Sequence, residues 1–409
     1  MRNWVLNHAR YLFSLLRVFL VVMTALLVPQ YFSWRHTNES VTPEPQKTGS
    51  AQGLRLTSAF IRQCSARDEN HIALITDQYE SAALLVQEVE HLRSQGITVE
   101  SLVLSEPLQG ATTDLKQPVH VFRDERTLAS LLTPNTVLLI DIHKVGIAYH
   151  SSTQLLVAAM HAAAQHDQTV IVIDRPNMLG STIEGAIGFS AHPLIADATL
   201  PARYGLTSGE LARYCNDYML EHPACLHVVP LDNYTRTART AQQSVLRELY
   251  GYSLLALLCH VRPLQVRYDA SRECHCVLLS ESWGLDKKSW FTLGAQLKEH
   301  GIESTFYRIY KRSTAEYLSG LRLIVARPVA FSALNALLDT LLFLKQAHIP
   351  LTFLPTFDKA VGTSAIRTFI AGDLSWNDVQ LQINKGLKHF FTQAHTAFLY
   401  KPYPKLMMV

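Results

Sequence analysis

Phosphate-cradling glycine motifs are missing from this chain. No G-x-G-x-x-G follows a predicted strand and no G-x-x-x-x-G-K-[ST] occurs in the 409 residues, so no nucleotide or flavin cofactor is expected. A G-x-S-x-G elbow and an H-E-x-x-H pair are also missing, which removes the usual signals of a serine hydrolase and a zinc peptidase. The 18 histidines follow no zinc-ligand spacing, and no metal site is expected. Cysteine is scarce, at six, and its spacing fits no disulfide scaffold. Cys274-His275-Cys276 sets two thiols on one face of a strand, a metal site only if distant ligands join them. Cys215 and Cys225 flank a helix end and suit a disulfide if the chain is exported, although spacing leaves the pairing open. Charge of one sign is lacking as well. Against 37 Lys and Arg stand 34 Asp and Glu, with no basic run beside aromatics, which argues against a nucleic-acid partner.

What is present is apolar mass, 48% of residues, in a chain long enough for two or three domains with their own cores. Arg2, Arg10 and Arg17 precede an apolar or small run, Val18 to Val28, with Tyr31, Phe32 and Trp34 at its far end. Basic residues before the span and aromatics after it predict a transmembrane signal anchor over residues 1–34, inserted N-terminus inside. A cleaved signal peptide is the alternative. Either places the remainder in the cell envelope, anchored in the cytoplasmic membrane with the later domains outside, or exported. Residues 35–55 are polar and rich in Pro, Gly, Ser and Thr, which predicts a flexible tether.

Residues 56–233 alternate between apolar runs of strand length and segments of helical period. His71 to Thr76, Ile97 to Leu104, Val119 to Phe122, Val137 to Ile140, Val170 to Ile173 and Cys225 to Leu231 predict strands. Ser81 to Ser94, Thr127 to Leu132, the segment SSTQLLVAAMHAAAQHD and Gly209 to Leu220 predict helices, the last capped by Thr207 or Ser208. After Gly185 a loop with Pro193 and Pro201 is expected. This alternation reads as an α/β fold, a Rossmann-like doubly wound parallel sheet. From residue 234 to 409 the texture changes to a smaller α+β domain. Strands are expected near Cys276 to Leu279, Thr305 to Ile309 and Leu321 to Val325, and helices at Trp290 to His300, Ala333 to Gln346, Val361 to Ala371 and Asn377 to Thr392.

In open parallel sheets ligands bind beyond the carboxyl ends of the strands. Polar residues expected there are Asp141, His143, Lys144, Asp174, Arg175 and Asn177, with Glu106 after the second of these strands and Glu210 at a helix start. Each also has a purely structural reading, since an Asp that ends a strand often fixes the following turn. Their order is more specific than any one of them. Asp141-Ile142-His143-Lys144-Val145-Gly146 with Tyr149, Asp174-Arg175-Pro176-Asn177 with Gly180 and Gly185, Gly205 to Ala212, and Phe357-Asp358-Lys359 with Gly362-Thr363 form a series. That series is similar in order and spacing to the signature of a bacterial envelope family typified by exo-acting β-N-acetylmuramidases.

The resemblance implies a Rossmann-like domain, a smaller second domain, and a ligand that is a muramic-acid-containing sugar or muropeptide. It implies Glu106, Asp141 and Asp174 as candidate catalytic acids and Tyr149, Arg175, Asn177 and Glu210 as candidate substrate contacts, Arg175 taking the lactyl carboxylate. The chain also departs from the family. Where the family has Ser-Pro-Glu-His-Gly, Ser105-Glu106-Pro107-Leu108-Gln109-Gly110 stands, and an acid and an arginine are lost at Lys144 and Ala148. Two functions follow: a glycosidase on muramic-acid-containing peptidoglycan fragments, or a catalytically silent relative that binds cell-wall fragments or scaffolds envelope proteins.

Overall fold

In the computed structural model the described residues are 71–77, 89–94, 98–104, 118–122, 128–132, 136–144, 146–188, 200–236 and 243–408. The expected anchor and tether, most of the helix Ser81 to Ser94, and Glu106 lie outside them. No helix among the described residues is long and apolar enough to cross a membrane.

The first sheet contains β1 (His71–Thr76), β2 (Thr98–Leu104), β3 (Val119–Val121), β4 (Thr136–Asp141) and, after helix α1 (Ser151–Gln165), β5 (Thr169–Ile173). Next come β6 (Thr182–Gly188), β7 (Leu200–Tyr204), α2 (Ser208–Tyr218) and β8 (Cys225–Val229). The order β3-β2-β1-β4-β5-β8 is parallel throughout, the doubly wound arrangement expected from the sequence. Alternate residues of each strand enter separate cores. Ile72, Leu74, Val137 and Leu139 pack on the side of Val89 and Leu92, whereas Ala73, Ile75, Leu138 and Ile140 face Leu155 and Ala159 of α1. Burial on both faces is why these strands read as unbroken apolar runs. The chain runs outward in both directions from β1 and β4, so the topological switch point lies between them.

On either side of the loop expected after Gly185, β6 and β7 pair instead as part of a second, three-stranded sheet. Its outer strand β15 (Lys405–Leu406) comes from the far end of the chain, pairing Lys405 with Thr182. Pro201 is compatible with β7 because that strand is at an edge.

The later half begins with α3 (Gln243–Leu258) and β9 (Val261–Arg262). An antiparallel sheet follows, β10 (Gln265–Asp269), β11 (Cys274–Ser280), β12 (Ile302–Lys311) and β13 (Glu316–Val325), in the order β10-β11-β13-β12. Helices α4 (Lys287–Glu299) and α5 (Ala333–Gln346) supply Trp290, Leu293, Leu337 and Leu341 to the same core as Val277 and Leu321 of the sheet. Short β14 (Thr352–Phe353) pairs with β9, and α8 (Trp376–Ala394) packs against β6. The helix expected from Val361 to Ala371 is two pieces, α6 (Phe357–Val361) and α7 (Ala365–Ala371), divided at Gly362, whose φ of 85° ends α6.

Cys215 and Cys225 are free thiols, and the buried Cys215 sulfur lies 3.3 Å from Met219 Sδ. Cys274 and Cys276 are buried together in a small cluster, while the His275 ring lies against Gly251 of α3. Among the described residues no group of three or more His, Cys, Asp or Glu could hold a metal ion.

Candidate functional site at the carboxyl edge of the parallel sheet

Three neighbouring strands, β1, β4 and β5, end in or just before an aspartate: Asp77, Asp141 and Asp174. Asp77 accepts from the backbone N–H groups of His143 and Lys144, both at 2.8 Å, and so ties the loop after β4 across the switch point. Asp141 is buried and accepts twice from Arg175, Nε to Oδ1 at 2.6 Å and Nη2 to Oδ2 at 3.0 Å. Its Oδ1 also meets His143 Nε2 at 2.9 Å. Burial alone pushes the Asp141 carboxyl up, but His143 and Arg175 beside it outweigh burial and hold it well below the usual carboxylate range. It is therefore an anion with a fixed fork on one side and an imidazole on the other.

The Arg175-Pro176-Asn177 turn is anchored along its length. Arg175 N–H donates to Ser208 Oγ at 2.7 Å, Asn177 Nδ2 donates to the Leu206 carbonyl, and Asn177 Oδ1 accepts from Leu179 N–H. Gly146 passes so close that a Cβ there would lie 2.6 Å from Asn177 Oδ1, and its φ of +135° is one that side-chain-bearing residues avoid. The Gly146 N–H is held by Tyr204 Oη at 2.6 Å. These contacts seat the loop from Ile142 to His150 against the Asp174 turn.

Asp174 and Glu210 form a second, interior cluster around the start of α2. Asp174 accepts from Gly209 N–H (2.7 Å), Ser208 Oγ (3.3 Å), Thr207 Oγ1 (3.0 Å) and Tyr400 Oη (2.6 Å). Burial nevertheless dominates and pushes this carboxyl up to about 6, against the opposing hydrogen bonds from Tyr400 and Gly209. Thr207 and Glu210 form a complete capping box, the T-x-x-E pattern visible in the sequence. Both Glu210 oxygens also receive Arg236 Nη2, at 2.5 and 2.6 Å, and Leu399 N–H reaches Oε1 at 2.7 Å. Asp174 and Glu210 thus fasten α2 to the C-terminal segment around Tyr400.

Residues 110–246, which carry every one of these groups except Asp77, Leu399 and Tyr400, match the model of the N-terminal part of exo-beta-N-acetylmuramidase NamZ. Over that segment, less than half of its length, the chain resembles the exo-β-N-acetylmuramidases. Two DUF1343 family proteins from Bacteroides fragilis NCTC 9343 share its fold. The first is 20% identical with a TM-score of 0.67, covering 85% of this chain and 98% of its own. The second is 18% identical with a TM-score of 0.58, covering 81% and 94%. Among curated proteins none matches the chain.

The strand-end residues within and around the matched segment divide into two groups. Asp141 and Arg175 meet at the switch point, together with His143; Asp174, Asn177 and Glu210 lie behind them, hydrogen-bonded within the protein. Tyr149 stands apart, its hydroxyl on the Ser253 carbonyl at 2.5 Å. It lines a different pocket of about 430 Å³, with Glu248, Tyr252, His260 and Tyr268. Glu106 follows β2 and lies outside both the described residues and the matched segment. Asp77, Arg236 and the buried pair Arg203 and Glu184 (3.3 Å) are the charged residues that sequence reasoning missed. Asp77 was accessible to the same strand-end rule, since it directly follows His71–Thr76. Arg236 carries no local signal.

Proposed function

We propose that this chain is a glycosidase-like envelope protein that recognises N-acetylmuramic-acid-containing peptidoglycan fragments at the carboxyl edge of its parallel sheet, with Glu106 as the acid. The observation that carries this reading is the charge arrangement at the switch point. Arg175 lays its fork on Asp141, so the cation best suited to a lactyl carboxylate is Lys144, half-buried on the next loop and without an ion pair among the described residues. This replaces Arg175 by Lys144 in the role expected for it from the sequence. Ligand entry beyond the β1 and β4 ends agrees with the usual location in open α/β sheets. The basic and apolar opening of the sequence supports an outward-facing position in the envelope, held by a signal anchor or released by signal cleavage.

A second reading, fragment binding without turnover, has a specific observation in its favour. Glycoside hydrolysis ordinarily uses two placed carboxyl groups. Here Asp141, Asp174 and Glu210 all have their oxygens engaged by internal donors. A chromogenic β-N-acetylmuramide offered to the protein separates the two. Hydrolysis that Glu106→Gln lowers by about 100-fold or more supports the enzyme. Binding of N-acetylmuramic acid without hydrolysis supports the silent relative, and neither binding nor hydrolysis overturns both.

A further inference from the structure

Resting on that reading of the ligand, we infer that His143 is a second, protonation-dependent contact for the ligand carboxylate, acting beside Lys144. Its position points to this role. The His143 backbone N–H is fixed by Asp77 from the end of β1 and its ring by Asp141 from the end of β4. Asp141 is held ionised by its neighbours, so it can only accept, and His143 Nε2 is the donor. The other ring nitrogen, Nδ1, makes no hydrogen bond among the described residues and is not a buried unpartnered atom, on a side chain that is 18% exposed at the switch point. An imidazole gripped at one nitrogen and open at the other has a defined tautomer and a defined direction.

The surrounding charges give that direction a consequence. The groups facing His143 among the described residues are the carboxylates of Asp77 and Asp141 and the cations Arg175 and the adjacent Lys144. Among these described groups two negative and two positive charges balance while the imidazole is neutral. Protonation adds one positive charge and turns Nδ1 from an acceptor into a donor. A neutral Nδ1 presents a lone pair to a carboxylate and repels it; a protonated one donates a charge-assisted hydrogen bond. Binding of a carboxylate-bearing sugar is therefore coupled to uptake of one proton by His143. An uncharged amino sugar of the same ring has no such coupling.

The test is calorimetric titration of the whole protein with N-acetylmuramic acid and, separately, N-acetylglucosamine, from pH 5.5 to 8 and in buffers of different ionisation enthalpy. Expected for N-acetylmuramic acid is uptake of up to one proton and an affinity that falls by up to about tenfold per pH unit once the imidazole is neutral. His143→Gln keeps a donor for Asp141 but cannot titrate, and its affinity is expected to be flat across the range. Lys144→Ala is expected to weaken binding at every pH while leaving the slope. Binding of N-acetylmuramic acid with no proton uptake, or a slope that survives in His143→Gln, overturns the role of His143 and leaves the ligand reading standing. Failure of N-acetylmuramic acid to bind at any pH overturns the ligand reading and this inference with it.

Discussion

Replacing Asp174 by Asn separates the cost of burying this carboxyl from the hydrogen bonds it makes. Its value is pushed up to about 6 in the fold from an ordinary 3.8, burial being the largest cause. A raised value means that the folded protein binds a proton the unfolded chain has already released. Stability from this group is then complete below about pH 4 and lost as pH rises through about 6, the loss reaching about 3 kcal/mol at neutrality. Asn is neutral at every pH and can still accept from Gly209 N–H on one side. On the other, its amide faces the hydroxyls of Thr207 and Tyr400, which are able to turn and accept. Urea unfolding of wild type and Asp174→Asn between pH 4 and 7.5 reads the difference directly, because every other titrating group cancels. The variant is expected to gain on the wild type by about 3 kcal/mol from the acid end to the neutral end. Asp174→Ala, which strands Gly209 N–H and three hydroxyls, is expected to lose about 3 kcal/mol or more at all pH values. A wild-type-minus-Asn difference that is flat across this range, or of opposite sign, refutes the reasoning.

Two further substitutions probe the loops that frame the edge. Arg175→Ala leaves the Asp141 carboxylate buried with the His143 imidazole as its remaining side-chain partner, at an expected cost of about 3 kcal/mol or more by urea unfolding. Asp141 is held low in the native protein, so its stabilisation is present above about pH 4 and lost as pH falls toward its native value. Arg175→Ala is accordingly expected to flatten the acid limb. Gly146→Ala forces a side chain into φ +135° and to within 2.6 Å of Asn177 Oδ1, with an expected loss of about 2 kcal/mol or more and a lower melting temperature.

Much of the first sheet was legible because each buried strand is an apolar run closed by a polar turn. His71 to Thr76, Val137 to Ile140 and Val170 to Ile173 all fell where expected, and so did the helix cap at Thr207 with Glu210 three residues on. The β6, β7 and β15 sheet was not legible. Pro201 masks β7 as a loop, and the partner of Thr182 is Lys405, a pairing that no local pattern signals. The site was legible as a set of strand-end residues but not as a set of roles. Whether an acid at a strand end is open to a ligand depends on donors remote in sequence. Arg236 and Leu399 fill Glu210, and Tyr400 fills one side of Asp174. Conversely, His143 looked like any polar loop residue until Asp77 and Asp141 were seen to hold it from two strands.

The most direct measurement of the central claim is a crystal structure of the protein with N-acetylmuramic acid at acidic pH. The expected result is a sugar beyond the carboxyl ends of β1 and β4, its carboxylate about 3 Å from Lys144 Nζ and from His143 Nδ1. A sugar seated away from this edge, with both side chains left in solvent, contradicts it.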